Sequence, residues 1–332
     1  DGIVRLVGSE MCIRDRPIAL QDQYGEMAFS GCAVVDWKNT SGFGTGDAPP
    51  LVAVYTGHGH GRQTQDLAFS TDRGRTWTRY AGNPVLDLGA KDFRDPKVFW
   101  HEDTGQWVMV VSMAVEKVLH FYGSRNLKSW ALLSKFGPAG AKAKTNWECP
   151  DLFELPIEGE PGKTRWVLQA DMGSGSVAGG SGGEYFIGTF DGKRFTCDHP
   201  LDEVRWVDYG RDFYAPVSWS DIPAKDGRRI WIGWMNNWET SLLPTHPWRG
   251  AMSLPRALSL GRTTEGLRLI QRPVRELQSL RSDPVRLTDL ELPTGTLALD
   301  KHGISGRQLE ILAEFQPGTS SSFGLRVRKG EN

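Results

Sequence analysis

Two carboxylate-bearing strings stand out for the chemistry they could do. In Asp92-Phe-Arg-Asp-Pro96 an arginine and an aspartate precede a proline, which stiffens the chain and opens a strand. A guanidinium beside Asp95 favours the ionised carboxylate, suited to bonding hydroxyls and to stabilising positive charge. In Trp147-Glu-Cys-Pro-Asp151, Glu148 lies between an aromatic and a soft, usually buried thiol. Such surroundings favour the neutral acid that a proton donor needs. Cleaving a glycosidic bond takes two carboxyl groups, one protonating the leaving oxygen and one acting as nucleophile or base, and retaining enzymes hold them about 5 Å apart. Each string also has a plain reading, Arg-Asp-Pro as a solvated turn and Glu148 as a strand-edge residue.

The elements that must position these groups repeat. An apolar strand, a polar loop and a second strand recur as Cys32–Trp37 with Leu51–Tyr55 and as Lys97–Trp100 with Trp107–Val111. Later copies are Asp151–Leu155 with Trp166–Gln169, and Pro216–Trp219 with Ile230–Trp234. The first strands lie about 55 to 65 residues apart, a spacing that fits four-stranded propeller blades. Polar turns leading to an aromatic close three of them: Ser70–Trp77, which is Asp-box-like, Ser124–Trp130 and Thr189–Phe195. These turns are expected to hold blades together and touch no substrate. The pattern predicts an all-β, five-bladed β-propeller over residues 17–270, with four blades visible and the first largely missing, since a closed ring avoids open sheet edges. Both candidate strings then open the innermost strand of consecutive blades, where propeller loops converge on a central funnel.

Residues 271–284 read as a linker. Strands expected at Thr296–Asp300, Leu309–Phe315 and Phe323–Arg328 would begin a β-sandwich over 285–332. Residues 1–16 resemble a translated sequencing adapter and are expected to be a foreign or disordered leader. Lys plus Arg number 39 against 40 Asp plus Glu, a net charge of -1, so no overall field favours nucleic acid or an anionic membrane. No run of about eighteen apolar residues predicts membrane insertion. The cysteines Cys12, Cys32, Cys149 and Cys197 form no CxxC pair, and His58 and His60 lack partners for a metal site. No cofactor or metal is expected.

Five motifs, in order, make the sequence resemble glycoside hydrolase family 32, the levanase, exo-inulinase and invertase group. Phe29-Ser-Gly-Cys32 resembles its FSGS motif, Arg94-Asp95-Pro96 its RDP motif and Glu148-Cys149 its EC motif. Asp212-Phe-Tyr-Ala-Pro216 is similar to its DFYA element. Gly233-Trp-Met-Asn-Asn-Trp238, followed by Pro247-Trp-Arg-Gly250 and Leu254-Pro-Arg256, resembles its bacterial levanase-type members. The resemblance implies a retaining β-fructosidase acting on fructan or sucrose, with Glu148 as acid/base, Asp95 as transition-state stabiliser and Arg94 fixing that carboxylate. Phe29, Ser30, Arg94, Tyr214, Trp234 and Trp238 would bind substrate, tryptophan faces suiting the C–H side of a sugar ring. Core packing between blades is the other reading of Trp234 and Trp238.

The sequence departs from the family in two places. The nucleophilic aspartate belongs to a WMNDPNG motif that does not occur here, and neither Asp22 nor Asp36 has surroundings to replace it. Without it the covalent fructosyl intermediate cannot form, so the 332 residues are expected to be inactive. Cys32 stands where Ser is usual, a change expected to affect packing more than chemistry. Two other classes stay open: a propeller that binds carbohydrate without cleaving it, and an arabinanase- or xylosidase-type propeller, against which the FSGC, FYAP and GWMNNW strings argue. Polymeric fructan cannot enter a cell intact, which places the enzyme outside the cell or in the periplasm; sucrose would permit the cytoplasm.

Overall fold

The computed structural model describes residues 18–23, 25–142, 145–240, 245, 250–292, 294–306, 308–316 and 318–327. The expected leader at 1–16 and most of Pro247-Trp-Arg-Gly250 therefore lie outside the described residues.

Each expected strand pair grows into an antiparallel sheet, five-stranded in the first blade and four-stranded in the other three. The first contains β1 (Met27–Val35), β2 (Leu51–Gly59), β3 (Arg62–Ser70) and β4 (Thr78–Arg79), with β5 (Leu86–Asp87) also on β3. The second runs β6 (Phe93–His101), β7 (Gln106–Met113), β8 (Val118–Ser124) and β9 (Ala131–Phe136). The third is β10 (Trp147–Pro156), β11 (Thr164–Met172), β12 (Gly182–Phe190) and β13 (Phe195–Cys197). The fourth is β14 (Tyr214–Ser218), β15 (Arg229–Trp234), β16 (Arg256–Thr263) and β17 (Gly266–Pro273). The first strand of each blade is innermost: β6 touches both β1 and β10, and β10 touches β14. The fold is the β-propeller, with four blades among the described residues.

Apolar side chains on both faces of each blade interdigitate with the next. Val52, Leu67, Val98 and Met109 pack the first blade on the second. Val108, Phe121, Leu168 and Phe186 pack the second on the third, and Phe153, Val167, Trp231 and Leu258 the third on the fourth. Each fully buried aliphatic or aromatic side chain here contributes about 1.5–3 kcal/mol. The closing turns are structural. Asp72 accepts from the Thr76 amide (2.9 Å) and from the Ser70 hydroxyl (2.7 Å). Asn126 and Asp191 likewise accept amides of their own turns, leading to Trp130 and Phe195.

β17 carries the propeller through Pro273, past the expected end at Ile270, and the first compact unit closes at Val274. Residues 275–332 form a second unit with short 3-10 helices at Arg275–Leu280 and Leu299–His302. Gly303 (φ +76°) caps the latter. The strands expected at 296–300, 309–315 and 323–328 do not form among the described residues. A strand needs a partner ladder for its N–H and C=O groups, and these segments have none among the described residues; Leu312 stays 84% exposed.

Candidate active site

One local device aims the site. The inner strand of every blade slips register once: between Ala28 and Gly31, Arg94 and Lys97, Glu148 and Asp151, and Tyr214 and Val217. Such bulges re-aim a side chain near a strand end. In three blades the slip falls on the same three-residue pattern, a candidate site residue, a residue with positive φ and a proline. Asp95 has φ +64°, Cys149 φ +48° and Ala215 φ +49°, each followed by Pro96, Pro150 or Pro216. Left-handed backbone at a non-glycine residue stores strain, and here it takes Asp95, Cys149 and Ala215 out of the ladder directly after Arg94, Glu148 and Tyr214, which stay paired with Ser112, Asp171 and Trp234.

Glu148 is held from two sides. Its Oε1 accepts from Arg94 Nε (3.1 Å) and Nη2 (2.9 Å), and its Oε2 accepts from the Tyr214 hydroxyl. Trp147 turns away into the core, so the surroundings of Glu148 are a guanidinium and a phenol rather than the apolar shell expected. Arg94 Nη1 also donates to Asp92 (2.9 Å) and Gln63 (3.2 Å). Partial burial pulls the guanidinium down, but bonding to Asp92 and Glu148 outweighs it. Burial above all, then the neighbouring Cys149, Asp171 and Glu148, push the Tyr214 phenol up, keeping it a neutral donor.

Asp95 corrects an expectation. Arg94 spends its donors on Glu148, Asp92 and Gln63, so it does not fix the Asp95 carboxylate. That group accepts instead from the Cys149 amide at 2.9 Å, while its own amide donates to Thr56 Oγ1 at 3.0 Å. Burial pushes its carboxyl up, opposed by the Cys149 amide, so adjacency to arginine does not decide its ionisation. Asp171, overlooked in the sequence, is a further buried acid. It lies directly across the ladder from Glu148, is fully buried, and accepts from Gln169 Nε2 at 2.7 Å. Burial pushes it well up. The available signal was a polar pair, Gln169 and Asp171, within the otherwise apolar Trp166–Met172.

The residues expected to bind substrate fall into two groups. Tyr214, Trp234 and Trp238 form an edge-to-face cluster, with ring centroids 6.4 Å (Tyr214 to Trp234), 6.3 Å (Tyr214 to Trp238) and 5.2 Å (Trp234 to Trp238) apart. Arg256, from Leu254-Pro-Arg256, lies 4.0 Å over Phe213 and bonds Asp208 at 2.6 Å, bracing the strand that carries Tyr214. Phe29 reaches the cluster indirectly: it stacks on His58 at 4.4 Å, His58 bonds Gln63, and Gln63 bonds Arg94. Ser30 stands exposed at the same bulge, with no side-chain hydrogen bond among the described residues. Cys32 Sγ accepts from the Val98 amide at 3.1 Å, tying β1 to β6, and burial pushes its thiol up to about 11. Asp36 caps its own loop through the Thr40 and Ser41 amides and takes no part.

A cleft of about 310 Å3 opens beside Glu148, lined also by Thr145, Asn146, Gly173, Ser174 and Trp238. Amides, hydroxyls and an indole around a carboxyl match the hydroxyl-rich, C–H-faced surface of a sugar. Among the described residues no group of His, Cys, Asp and Glu is arranged to hold a metal, and no helix is long and apolar enough to cross a membrane.

Carboxyl groups aimed by strand bulges beside one polar cleft define the class, a carbohydrate-active β-propeller. Residues 13–273 match the family described as "Glycosyl hydrolases family 32 N-terminal domain", and the chain belongs to that family. It is 50% identical over 324 residues to the levanase of Bacillus subtilis (strain 168), covering 95% of this chain and 47% of the relative. It is 41% identical over 302 residues to an extracellular exo-inulinase of Aspergillus niger, covering 81% and 56%. The chain thus spans about half the length of these relatives. Among solved structures, the exo-inulinase of Aspergillus awamori matches with TM-score 0.72 and 39% identity over 77% of this chain and 54% of that one. A β-fructofuranosidase of Schwanniomyces occidentalis complexed with fructosyl-erythritol matches with TM-score 0.71 and 42% identity over 76% and 50%. The fold of these neighbours is the five-bladed β-propeller.

Proposed function

We propose that this chain carries most of the site of a retaining hydrolase of β-fructofuranosidic bonds in fructans or sucrose. The observation that carries the reading is Glu148, suspended between Arg94 and a neutral Tyr214 at the edge of a polar cleft. In that position Glu148 gives its proton to the leaving oxygen and later takes one from water. Asp95, buried and anchored by the Cys149 amide, accepts fructosyl hydroxyls and steadies the positive charge that develops at the ring. Tyr214 and Trp234 wall the fructosyl sugar, Trp238 lines the adjoining cleft on its leaving-group side, and Phe29 and Ser30 face the sugar from the first blade. The nucleophile belongs to a WMNDPNG segment, which this sequence does not contain, so the 332 residues bind fructosides without turning them over. Relatives named levanase and extracellular exo-inulinase support a fructan substrate and a place outside the cell.

The test is fructose release from levan, inulin and sucrose by this chain and by one whose residues 1–16 are replaced with a family segment bearing the nucleophile motif. Release only by the second protein, abolished by Glu148→Gln, is the expected result. Turnover by the chain as it stands would refute the assignment of the nucleophile. A folded, extended protein that binds fructose and releases none would be a binding module, and one that prefers arabinan would be another glycosidase.

A further inference from the structure

Asn237, near the end of Gly233-Trp-Met-Asn-Asn-Trp238, makes no hydrogen bond to Glu148 among the described residues and yet uses its whole amide. It is fully buried. Its Nδ2 donates to the carbonyls of Arg211 (2.8 Å), Ser181 (3.1 Å) and Gly179 (3.2 Å). Its Oδ1 accepts from the amides of Glu239 (3.0 Å) and Ser181 (3.2 Å). One side chain therefore joins the loop between β11 and β12, the approach to β14 and the turn after β15. The fit leaves no slack: Gly180 has φ +65°, and a Cβ there would sit 1.9 Å from Asn237 Oδ1.

What the clamp holds is the wall of the cleft. The loop enters at Gly173 and Ser174, which line the cleft beside Glu148, and the Ser174 amide donates to Thr145 Oγ1 at 3.0 Å. It leaves at Ser181, whose hydroxyl accepts from the Trp238 amide at 3.0 Å. Asn237 fixes this end and the backbone on either side of Trp238. If Glu148 protonates the leaving oxygen, the group that departs must lie against Glu148, and the cleft there is the space it occupies.

We propose that Asn237 is a positioning residue for the leaving-group side of the site, holding Ser174 and Trp238 where a second sugar of an oligofructoside binds. The inference rests on the fructoside reading above. Asn146, Ser174 and the Trp238 face supply the hydroxyl and C–H contacts, and Asn237 selects for substrates with more than one sugar by keeping those contacts in place.

The test is calorimetric titration of the 332-residue chain with fructose, which fills only the fructosyl side, and with inulotriose, which also fills the cleft. The unchanged chain should bind inulotriose about tenfold more tightly than fructose. Asn237→Asp replaces the donor amide with an acceptor facing three carbonyls, and Gly180→Ala pushes on the clamp from the other side. Each should cut the inulotriose advantage at least about fivefold and leave fructose affinity within about twofold. Amide hydrogen exchange should rise at 173–181 and not in the β10–β11 ladder. Equal losses for both sugars, no loss for either, or unchanged exchange at 173–181 would overturn the proposal. Binding of fructose with no gain from inulotriose in the unchanged chain would overturn it while leaving the fructosyl site standing. If that chain bound neither sugar, the fructoside reading itself would fall, and this inference with it.

Discussion

The backbone amide of Cys149 donates to Oδ2 of Asp95 across 2.9 Å, so the bulge of one blade is bonded to the bulge of the blade before it. The carboxyl of the second blade is aimed by the backbone that also aims Glu148 in the third. Site geometry thus depends on blade-to-blade placement, and each left-handed residue at a bulge acts beyond its own strand.

Ala215 tests that dependence with least disturbance, because its side chain is a single methyl. It holds φ +49° next to Tyr214. Ala215→Gly should stabilise the protein or leave it unchanged, by up to about 1 kcal/mol, since glycine enters this conformation freely. Ala215→Val should cost about 2 kcal/mol through β-branched strain and weaken fructose binding by displacing Tyr214. Urea unfolding and fructose titration of the two variants read both effects. Equal stability of the two would show that the strain is not what matters here.

The blades were legible in the sequence because apolar runs and polar turns alternate plainly around Leu51–Tyr55, Trp107–Val111 and Trp166–Gln169. The inner strands were read as starting too late. Alternation breaks at the bulges, so Arg94, Asp95 and Glu148 looked like residues before a strand when they lie within one. The shared triplet of candidate site residue, left-handed residue and proline was visible at Asp95-Pro96, Cys149-Pro150 and Ala215-Pro216, but its left-handed member carries no glycine to announce it. Partner choice was not legible. Nothing in Arg-Asp-Pro says that the guanidinium crosses to the next blade and leaves its neighbouring carboxylate to an amide. The expected C-terminal strands do not form among the described residues, because apolar alternation marks a face that could pair, not the presence of a partner.

Asp66 gives the protein an acid-favouring contribution. It is 3% exposed on β3 and accepts from the Thr64 hydroxyl at 2.8 Å. Burial pushes its carboxyl from 3.8 up to about 6, with Glu26 and Asp87 adding and Arg79 opposing. Below pH 3.8 the group is neutral in both states. Between there and about pH 6 the unfolded chain releases its proton while the folded chain keeps it, so stability falls as pH rises. Asp66→Asn should match the parent at pH 4 and exceed it by about 2 kcal/mol at pH 7. Thermal unfolding of both proteins across that range measures the difference; parallel curves would mean the carboxyl titrates normally.

Lys97 and Asp151 form a buried ion pair where three inner strands meet. Lys97 Nζ lies 3.3 Å from Asp151 Oδ2 and donates to the Ser218 carbonyl at 2.6 Å, and the Ser218 amide donates to Asp151 at 3.0 Å. Their side chains are 7% and 2% exposed. Lys97→Met leaves a carboxylate in the core and should cost about 3–5 kcal/mol. Lys97→Met with Asp151→Leu removes both charges and should cost less than the single change, although the Ser218 amide loses its acceptor. A double variant worse than the sum of the two singles would show that the pair does not compensate itself.

Glu184 reaches the site through Trp147, the residue before Glu148. One carboxylate oxygen accepts from Trp147 Nε1 at 2.8 Å and the other from the Ala141 amide at 2.9 Å, and the group is fully buried. Lys117 completes the shell, with Nζ 5.5 Å over the Trp147 ring and 2.6 Å from the Ala141 carbonyl. Glu184→Ala leaves two buried donors without acceptors, each costing about 1–3 kcal/mol, so a loss of about 2–4 kcal/mol is expected. Glu184→Gln keeps one acceptor and turns an NH2 toward the other donor, so it should fall between alanine and the parent. Because the Trp147 ring is fixed by this carboxylate and its carbonyl by Ser112 Oγ at 2.7 Å, freeing the ring should shift the neighbouring Glu148 backbone. Near-ultraviolet circular dichroism and fructose titration should then change together in Glu184→Gln at a pH where the variant is fully folded. Weakened stability with unaltered fructose affinity would confine Glu184 to holding blades together and free Glu148 from dependence on it.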